Sequence, residues 1–193
     1  YSRSVPTNNI TFIHNPIERF NKDPRVLQEI AKVMEHGEDS IFIQSPYVIP
    51  IKHMTKHINI DKIKEKEVSI LTNSLATSPN YIAMAGYENN RKKLINHVDN
   101  VYEYQGDGSI HGKSIIVDDR ISLIGSFNID PRSSFLNTES MVVIDSEEFS
   151  NLLKEEVNNI VDSSLLVNED YGYEKKSHLQ EKKAPKKKKF TLK

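Results

Sequence analysis

The segment HGKSIIVDDRISLIGSFNIDPRSSFLNTE, residues 111–139, contains two short runs of apolar and β-branched residues. These runs, Ser114 to Val117 and Ile121 to Ile124, are separated by charged residues, a pattern that predicts a β-hairpin. Because side chains two positions apart leave the same face of an extended chain, His111 and Lys113 are expected to project together beside the first strand. The second strand returns the chain towards this pair, so the polar residues that follow it are expected to lie near His111.

Outside this segment, apolar residues follow helical spacing in some stretches and form short β-rich runs in others. Helices are predicted after Asp23-Pro24, after Ser78-Pro79 and after Ser146, where the residue types suit a helix N-terminus. A weaker helix is predicted over residues 52–65, and strands are predicted over residues 40–44, 68–72, 101–104 and 141–144. Interleaved helices and strands predict the α/β class, with a mixed β-sheet flanked by helices on both faces.

Composition divides the chain into three parts. Residues 1–22 mix Ser, Pro and Asn without a period and are predicted to be a linker, residues 23–168 to be one domain, and residues 169–193 to be a disordered, Lys-rich tail. Residues 174–193 carry nine Lys against two Glu, a charge of +7, so a net charge of -1 leaves -8 on residues 1–173. An acidic body disfavours nucleic acid as a partner, whereas a basic tail can attract anionic lipid headgroups.

Length and composition set further limits. A chain of 193 residues with 37% hydrophobic content can bury one good core. Its apolar runs are too short to cross a bilayer, so no transmembrane segment is predicted. The absence of Cys excludes disulfides and thiolate metal sites. The first residue is Tyr1 rather than Met, which predicts that the chain is excised from a longer protein.

The polar residues of the 111–139 segment suit a phosphodiester substrate. The His111 imidazole can act as a nucleophile or a general acid near neutral pH. The Lys113 ammonium, with the neutral donors Ser126 and Asn128, would hold the anionic non-bridging oxygens. A carboxylate that accepts from the other ring nitrogen would fix the imidazole tautomer. The sequence therefore predicts phosphodiester chemistry without a metal cluster or a cofactor.

Six residues match the pattern H-x-K-x4-D-x6-G-S-x-N, and on them the chain resembles the phospholipase D superfamily: His111, Lys113, Asp118, Gly125, Ser126 and Asn128. Three stretches are similar to bacterial cardiolipin synthases of the C type: QSPYVIP (44–50), LTNSLATSPNYIAMAGYENNRKKL (71–94) and GSFNIDPRSSFLNTE (125–139). The resemblance covers roughly residues 24–165. It implies a phospholipase D-like half-domain with one HKD motif, the H-x-K-x4-D part of this pattern.

The resemblance implies a role for each matched residue. His111 would be one of two catalytic histidines, and Glu139 would orient it. Lys113 and Asn128 would bind phosphate oxygens, with assistance from Ser126. In two-motif members of the superfamily the first histidine usually forms a phosphohistidine and the second protonates the leaving alcohol. A second-half motif would therefore make His111 the general acid.

Asp118 and a group of five other residues each have both a functional and a structural interpretation. Asp118 is catalytic by its place in the signature, but a carboxylate at a hairpin turn can accept backbone hydrogen bonds, which favours a structural role. The other five follow predicted strand ends or resemble family positions, and loop structure is favoured for all of them: Tyr47, Thr72, Asn73, Ser74 and Tyr87.

No second His-x-Lys pair occurs in the chain, although the two-step reaction uses two histidines. The expected partner is an N-terminal HKD half of the same protein or a second copy. The expected activity is phosphatidyl transfer on phosphatidylglycerol or a similar phospholipid, in peripheral contact with a bacterial inner membrane. The alternatives are a single-motif homodimeric phosphodiesterase or nuclease and a non-catalytic binding module.

Overall fold

The predicted hairpin lies in the middle of an eight-stranded sheet in the computed structural model, which describes residues 4–18 and 22–184. Along the chain the elements are β1 (Asn9–His14), α1 (Arg25–His36), β2 (Ser40–Gln44), α2 (Lys52–Thr55), α3 (Ile60–Lys64), β3 (Glu67–Asn73), α4 (Tyr81–Ile95), β4 (Asn100–Tyr104), β5 (Ser114–Val117), β6 (Ile121–Gly125), α5 (Pro131–Phe135), β7 (Ser140–Asp145), α6 (Glu147–Asp162) and β8 (Ser164–Leu166). The strand order is β1-β7-β6-β5-β2-β3-β4-β8.

The sheet is mixed and has helices on both faces, which confirms the predicted α/β class. Strands β2, β3 and β4 run parallel, and the other neighbouring strands are antiparallel. Alternate side chains of β2 point to opposite faces. Ile41 and Ile43 join the larger apolar cluster, to which α1 contributes Leu27 and Ile30, whereas Phe42 packs on the cluster that contains Val157 of α6.

Two of the predicted helices begin at caps that the structure identifies. Ser146 caps α6 as predicted, because its Oγ accepts a hydrogen bond from Phe149 N at 3.1 Å. Helix α4 begins later than predicted: its cap is Asn80, whose Oδ1 accepts from Ala83 N at 3.0 Å, and not Ser78. A better cap two residues downstream therefore decides where this helix starts.

The other two predicted helices also differ in detail from the sequence interpretation. Pro24 occupies the N-cap of α1 without a side-chain cap, and Asp23 instead accepts from the Gln28 side chain at 2.8 Å. The single weak helix predicted over residues 52–65 is two short helices, α2 and α3. The second of them has its own cap at Asn59.

The prediction of a linker over residues 1–22 is wrong for residues 9–15. Residues 9–14 form β1, an edge strand that pairs antiparallel with β7. Asn15 is fully buried, its Nδ2 donates to Ser133 O at 2.8 Å, and its Oδ1 accepts from Val26 N at 3.0 Å. Residues 9–15 of the predicted linker therefore belong to the domain.

The prediction of a disordered tail is wrong for residues 169–184. Tyr173 donates a hydrogen bond to Glu103, and Arg91 Nη1 donates to Tyr171 O at 2.8 Å. Strand β8, which the sequence interpretation missed, pairs with β4 just before this segment. Residues 185–193, the rest of the predicted tail, lie outside the described residues. Within the described ranges, no helix combines the length and apolar character needed to span a bilayer.

Candidate active site

Except for Asp118, the predicted site residues lie at one edge of the sheet. Strands β2, β3 and β6 end at this edge, and β5 and β7 begin there because they run antiparallel to β2 and β6 respectively. Lys113 immediately precedes β5, Ser126 follows β6, and Glu139 precedes β7. The hairpin and the return strand β7 therefore bring to one edge three residues that are up to 26 positions apart in the sequence.

His111 and Lys113 are accessible from solvent. The His111 side chain is exposed, and Lys113 is half-buried. Lys113 Nζ donates to the His111 carbonyl oxygen at 2.6 Å, so the ammonium lies beside the histidine. Burial lowers the pKa of Lys113 below its ordinary value of 10.5, against the opposite effect of the Glu139 and Asp130 carboxylates. The pair is therefore open to a ligand rather than sealed in apolar packing.

Gly125 allows the end of β6 to lie against β7. A Cβ at this position would lie 2.1 Å from Ser140 O and 2.7 Å from Met141 Cα, and both atoms belong to the backbone of the paired strand. Gly125 N also donates to Lys113 O at 3.2 Å. Only glycine fits this close approach, which places Ser126 next to Glu139.

Glu139 is the centre of a polar network. It is 7% exposed, and its carboxylate accepts from Ser126 Oγ at 2.5 Å, Ser133 Oγ at 3.2 Å and Asn137 Nδ2 at 2.8 Å. Asn128 Nδ2 reaches the same network through Ser133 Oγ at 3.3 Å. The network fixes Ser126 and Asn128 and leaves the buried Asn128 Oδ1 without a partner among the described residues.

The Glu139 carboxylate bonds to this network and not, among the described residues, to His111 as expected. All three hydrogen bonds of the Glu139 carboxylate come from neutral side chains. The His111 ring forms no hydrogen bond with any part of the chain that the structure describes. Glu139 therefore orders Ser126 and, through Ser133, Asn128, and it acts on Lys113 through its charge.

Asp118 lies at the other end of β5, away from His111. Its carboxylate accepts from the backbone N–H groups of Glu38 at 2.8 Å and of Asp39 and Ser40 at 2.9 Å. Burial raises the pKa of Asp118, but these hydrogen bonds outweigh it and hold the pKa below the ordinary 3.8. Its φ of 53° places it in the left-handed region that Asp tolerates. The carboxylate fastens the hairpin turn to the loop before β2.

We expect Asp118→Asn to lower the free energy of unfolding by about 1–2 kcal/mol at neutral pH, because a charged acceptor of three hydrogen bonds becomes neutral. A carboxylate with a lowered pKa stabilises the fold above its unfolded pKa, and this stability is lost as the pH falls through the folded pKa. The difference between variant and wild type should therefore shrink in acid. Urea unfolding at several pH values measures it.

Asp119→Asn is the matched control, because Asp119 has a similar φ of 52° but its carboxylate bonds, among the described residues, to the Lys154 ammonium alone. It should change stability much less. An equal loss in both variants would contradict the tethering role of Asp118.

Asn73 holds the backbone that precedes His111. Its Nδ2 donates to Pro46 O at 2.9 Å and to Ile110 O at 3.0 Å, and its Oδ1 accepts from Ile110 N at 2.9 Å. Asn73 is 1% exposed, and Thr77 Oγ1 supplies a further hydrogen bond to Oδ1. Both backbone polar groups of Ile110 are therefore bound by one side chain, which fixes the start of the His111 segment.

Sequence reasoning missed three residues that support the site. Asn15 carries no signal because it lies in a polar, non-periodic stretch. Ser133 and Asn137 lie inside the 111–139 segment but outside the signature, and only the position of Glu139 marks them as neighbours. Asn73 was noted at a strand end, but its contact with Ile110 joins residues 37 positions apart and has no local pattern.

The α/β fold and this polar site agree with the family to which the chain belongs, the phospholipase D-like domains. The family described as "Cardiolipin synthase, PLD-like domain" matches residues 30–161. Cardiolipin synthase C of Escherichia coli is 32% identical in an alignment of 143 residues that covers 65% of this chain and 30% of that protein. The chain spans 26% to 30% of the length of the curated relatives that it matches.

Two solved structures share the fold. The phospholipase D family member Nuc from Salmonella typhimurium has a TM-score of 0.62 at 18% identity, over 82% of this chain and 97% of Nuc. The phosphatidylserine synthase of Haemophilus influenzae has a TM-score of 0.64 at 18% identity, over 81% of this chain and 39% of that protein. Both likenesses concern the fold alone.

Proposed function

We propose that this chain is the second HKD half of a phosphatidyltransferase of the cardiolipin synthase type. The observation that carries the proposal is the exposed His111 side chain, whose backbone carbonyl accepts from the half-buried Lys113 ammonium, at the same sheet edge as the ordered polar residues Ser126 and Asn128. Membership of the phospholipase D-like family supports the reaction class. The transfer moves a phosphatidyl group from phosphatidylglycerol or a similar lipid to an alcohol on a second lipid.

The proposed reaction has two steps. In the first, an imidazole nitrogen of the partner half attacks phosphorus, the bond from phosphorus to the leaving alcohol breaks, and protonated His111 gives its proton to the leaving oxygen. In the second, the acceptor alcohol gives its proton to neutral His111, its oxygen attacks phosphorus, and the phosphorus–nitrogen bond breaks. The two imidazoles supply nucleophile, acid and base, so the reaction needs no metal or cofactor.

The remaining site residues would stabilise the charge on phosphorus-bound oxygens. Lys113 supplies a positive charge and Asn128 a neutral donor. The one hydroxyl proton of Ser126 goes to Glu139, so Ser126 is proposed to hold that carboxylate in place. One hydrogen of the Asn128 Nδ2 group bonds to Ser133 Oγ, and the other is proposed to donate to a phosphate oxygen. Asp118 lies too far along β5 to take part and is proposed to act on the fold only.

An uncovered sheet face supports a partner half. Ile10 and Phe12 of β1 are 59% and 63% exposed. Ile10 is in register with Ile144 of β7, which is in register with Ser122 of β6, and Ser122 Oγ lies 2.7 Å from Ser150 Oγ of α6. These side chains therefore share the α6 face, and α6 leaves the β1 end of that face open. We propose that an N-terminal HKD half of the same protein, or a second copy, covers this face.

Product analysis tests the proposal. The intact protein with both halves, given phosphatidylglycerol vesicles, should form cardiolipin and release glycerol, both measurable by mass spectrometry. Peripheral association with the inner membrane would appear as cosedimentation with inner-membrane vesicles that salt or alkali reverses. Cleavage of soluble diesters or DNA without any cardiolipin would reject the lipid assignment.

A single-motif homodimeric phosphodiesterase is the second candidate, because the uncovered face suits a second copy of this chain equally well. Sedimentation of the chain distinguishes this homodimer from the two-half phosphatidyltransferase. A stable monomer without diesterase activity removes the homodimer, whereas a dimer that cleaves model diesters supports it. The negative body of the chain argues against nucleic acid as its substrate.

We expect Asn73→Asp to lower kcat for a soluble diester on the order of 10²-fold, because a small displacement of a catalytic group has that effect. The carboxylate cannot donate to Ile110 O or Pro46 O, so the His111 segment loses its anchor. KM should change little, since Lys113 and Ser126 remain. Steady-state kinetics of the intact protein, with its thermal unfolding, measures both effects.

Tyr87→Phe is the control for lost stability alone. It removes a buried hydrogen bond, from Tyr87 Oη to Glu103 at 2.7 Å, without touching the His111 segment. It should lower stability by ~1 kcal/mol and leave kcat unchanged. If both variants lose kcat in proportion to stability, Asn73 is structural and does not position His111.

We expect the rate of diester transfer to fall with rising pH as Lys113 loses its proton. Because burial lowers the pKa of Lys113, this alkaline limb of the pH profile should lie below 10.5, the ordinary lysine value. Lys113→Arg keeps the positive charge at these pH values, so its alkaline limb should move upward even if its maximal rate is lower. A pH profile of kcat/KM measures the limb. Lys52→Arg, at an exposed position on α2, should leave it unchanged. An alkaline limb at the same pH in wild type and Lys113→Arg would assign the titration to another group.

A further inference from the structure

The predicted phosphate-binding residues supply few donors to the anionic oxygens of a diester. The single hydroxyl proton of Ser126 goes to Glu139. One hydrogen of the Asn128 amide bonds to Ser133 Oγ, which leaves its second hydrogen and the Lys113 ammonium. A phosphodiester has two strongly accepting non-bridging oxygens, and each can accept more than one hydrogen bond. A further neutral donor at this edge of the sheet would therefore find an acceptor on the substrate.

Tyr47 lies on a segment that is bonded to the residues after β6. Val48 forms a parallel bridge with Ile129, and Ile49 N donates to Ile129 O at 2.7 Å. Ile129 N donates to Ser45 Oγ at 3.3 Å, and Ser45 Oγ donates in turn to Tyr47 O at 2.9 Å. These contacts, which join residues about 80 positions apart, hold Tyr47 beside the segment that carries Asn128.

The Tyr47 hydroxyl lies near the same two carboxylates as the Lys113 ammonium. Burial raises the pKa of Tyr47 above its ordinary value of 10.0, and the charges of Asp130 and Glu139 raise it further. The Arg132 guanidinium acts in the opposite direction. Asp130 and Glu139 also act on the pKa of Lys113. The phenol and the ammonium are therefore gathered around one pair of charges.

The phenolic proton of Tyr47 is available to a ligand. A side-chain hydrogen bond from Asn80 lowers the pKa of Tyr47, as a bond donated to the phenolic oxygen does. Asn80 Oδ1 accepts from Ala83 N at 3.0 Å, so the amide nitrogen is the atom left for Tyr47. The phenolic oxygen is thus an acceptor within the fold, and its own proton has no acceptor among the described residues.

The acidic neighbours favour a neutral donor at this position. Asp130 and Glu139 are 6% and 7% exposed, and both are engaged within the fold: Asp130 accepts from Ser133 N at 2.8 Å, and Glu139 accepts from three side chains. Their charges add to the effect of burial and keep Tyr47 protonated near neutral pH, where an imidazole works. A phenol donates a hydrogen bond without the need for a positively charged surrounding.

We propose that Tyr47 is a further substrate-binding residue, whose hydroxyl donates a hydrogen bond to a non-bridging oxygen of the diester beside Lys113 and Asn128. The donors to these oxygens would then be one ammonium, one amide and one phenol. This inference rests on the proposed function for its diester substrate, but the binding of a phosphate group by Tyr47 requires no catalysis.

Tyr47→Phe removes the donor and keeps the ring. It should lower kcat/KM for bis(p-nitrophenyl) phosphate, measured with the intact protein, about 10- to 100-fold, the usual effect of one hydrogen bond to a charged group. Tyr102→Phe is the matched control, because Tyr102 is a half-buried tyrosine of β4 whose pKa is also raised by burial. The control should keep the wild-type value. Equal kcat/KM in wild type and Tyr47→Phe overturns the proposal.

Asn80→Ser distinguishes substrate binding from a structural role of the phenol. Serine still caps α4 by accepting from Ala83 N, but it has no second polar atom to donate to Tyr47. The variant should therefore lose the hydrogen bond between residues 80 and 47 and keep kcat/KM close to that of wild type. If Asn80→Ser loses as much kcat/KM as Tyr47→Phe, the phenol acts through Asn80 and does not bind the substrate.

Titration with inorganic phosphate separates this inference from the proposed function. Calorimetry should show that the intact protein binds phosphate, that Tyr47→Phe binds it about 10-fold more weakly or worse, and that Tyr102→Phe binds it as wild type does. Equal phosphate binding in wild type and Tyr47→Phe, or no binding by wild type, rejects Tyr47 as a phosphate donor. Binding that depends on Tyr47 without any diester cleavage rejects the proposed function and leaves the role of Tyr47 standing.

Discussion

His111→Ala should abolish phosphatidyl transfer by the intact protein, with a fall of at least ~10³-fold in rate. Removal of the imidazole takes away the proton donor of the first step and the base of the second, and each contributes about 10²–10⁴-fold. Lys113, Ser126 and Asn128 stay in place, so lipid binding should persist. Cardiolipin formation in phosphatidylglycerol vesicles measures the effect.

The same substitution should leave the fold intact. The His111 side chain is exposed and forms no hydrogen bond with the part of the chain described by the structure, so no packing or network depends on it. The melting temperature should therefore stay within about one degree of wild type. His97→Ala, at an exposed histidine near the end of α4, controls for general effects. Transfer within tenfold of wild type in His111→Ala would refute the assignment of this site.

Glu139→Ala should have the largest effect on stability, about 3 kcal/mol in the free energy of unfolding. Ser126 Oγ, Ser133 Oγ and Asn137 Nδ2 all donate to this buried carboxylate and would lose their acceptor together. Loss of the nearby negative charge should also lower the pKa of Lys113 further, since Glu139 raises it. Chemical denaturation and the alkaline limb of the pH profile report the two effects separately.

Glu139→Gln distinguishes the network from the charge. The amide keeps the size of the side chain and one acceptor oxygen, so it should lose less stability than Ala while it still shifts the Lys113 titration. If the Gln and Ala variants lose the same stability, the three hydrogen bonds to the carboxylate are not arranged as described. If neither substitution affects stability, the network contributes nothing measurable to the fold.

The sequence predicted the parts of the fold that local pattern determines. The hairpin, six of the eight strands and the three long helices follow from apolar spacing and turn residues, and the signature identified the edge at which the site lies. Strand β1 was missed because its Ile10 and Phe12 alternate in a polar context and gain their order from pairing with β7, more than 120 residues away. Strand β8 was missed because three residues are too few to show a period.

The candidate site was predicted in composition but not in its contacts. Spacing placed His111 and Lys113 with Ser126 and Asn128, and the structure has them at one edge. Spacing could not show that Glu139 is fully engaged by neutral donors, or that Asn73 binds the backbone of Ile110. Such pairings depend on how separate strand ends meet, and a sequence pattern carries no record of that geometry. The position of Asp118 at the far end of β5 agrees with the structural role that the sequence favoured for this residue.

The hydrogen bonds of Glu103 bear on how the chain unfolds. Glu103 is 1% exposed, its carboxylate accepts from Arg91 Nε at 2.5 Å, and the hydroxyls of Tyr87 and Tyr173 donate to it. Tyr173 comes from the C-terminal segment, whereas the other two donors are on α4. Opening that segment would leave the buried Glu103 carboxylate with one donor fewer, at a cost of about 1–3 kcal/mol. Amide protons of β4 should therefore exchange faster in a protein shortened before Tyr173, so this C-terminal segment is part of the stable fold rather than a dispensable end.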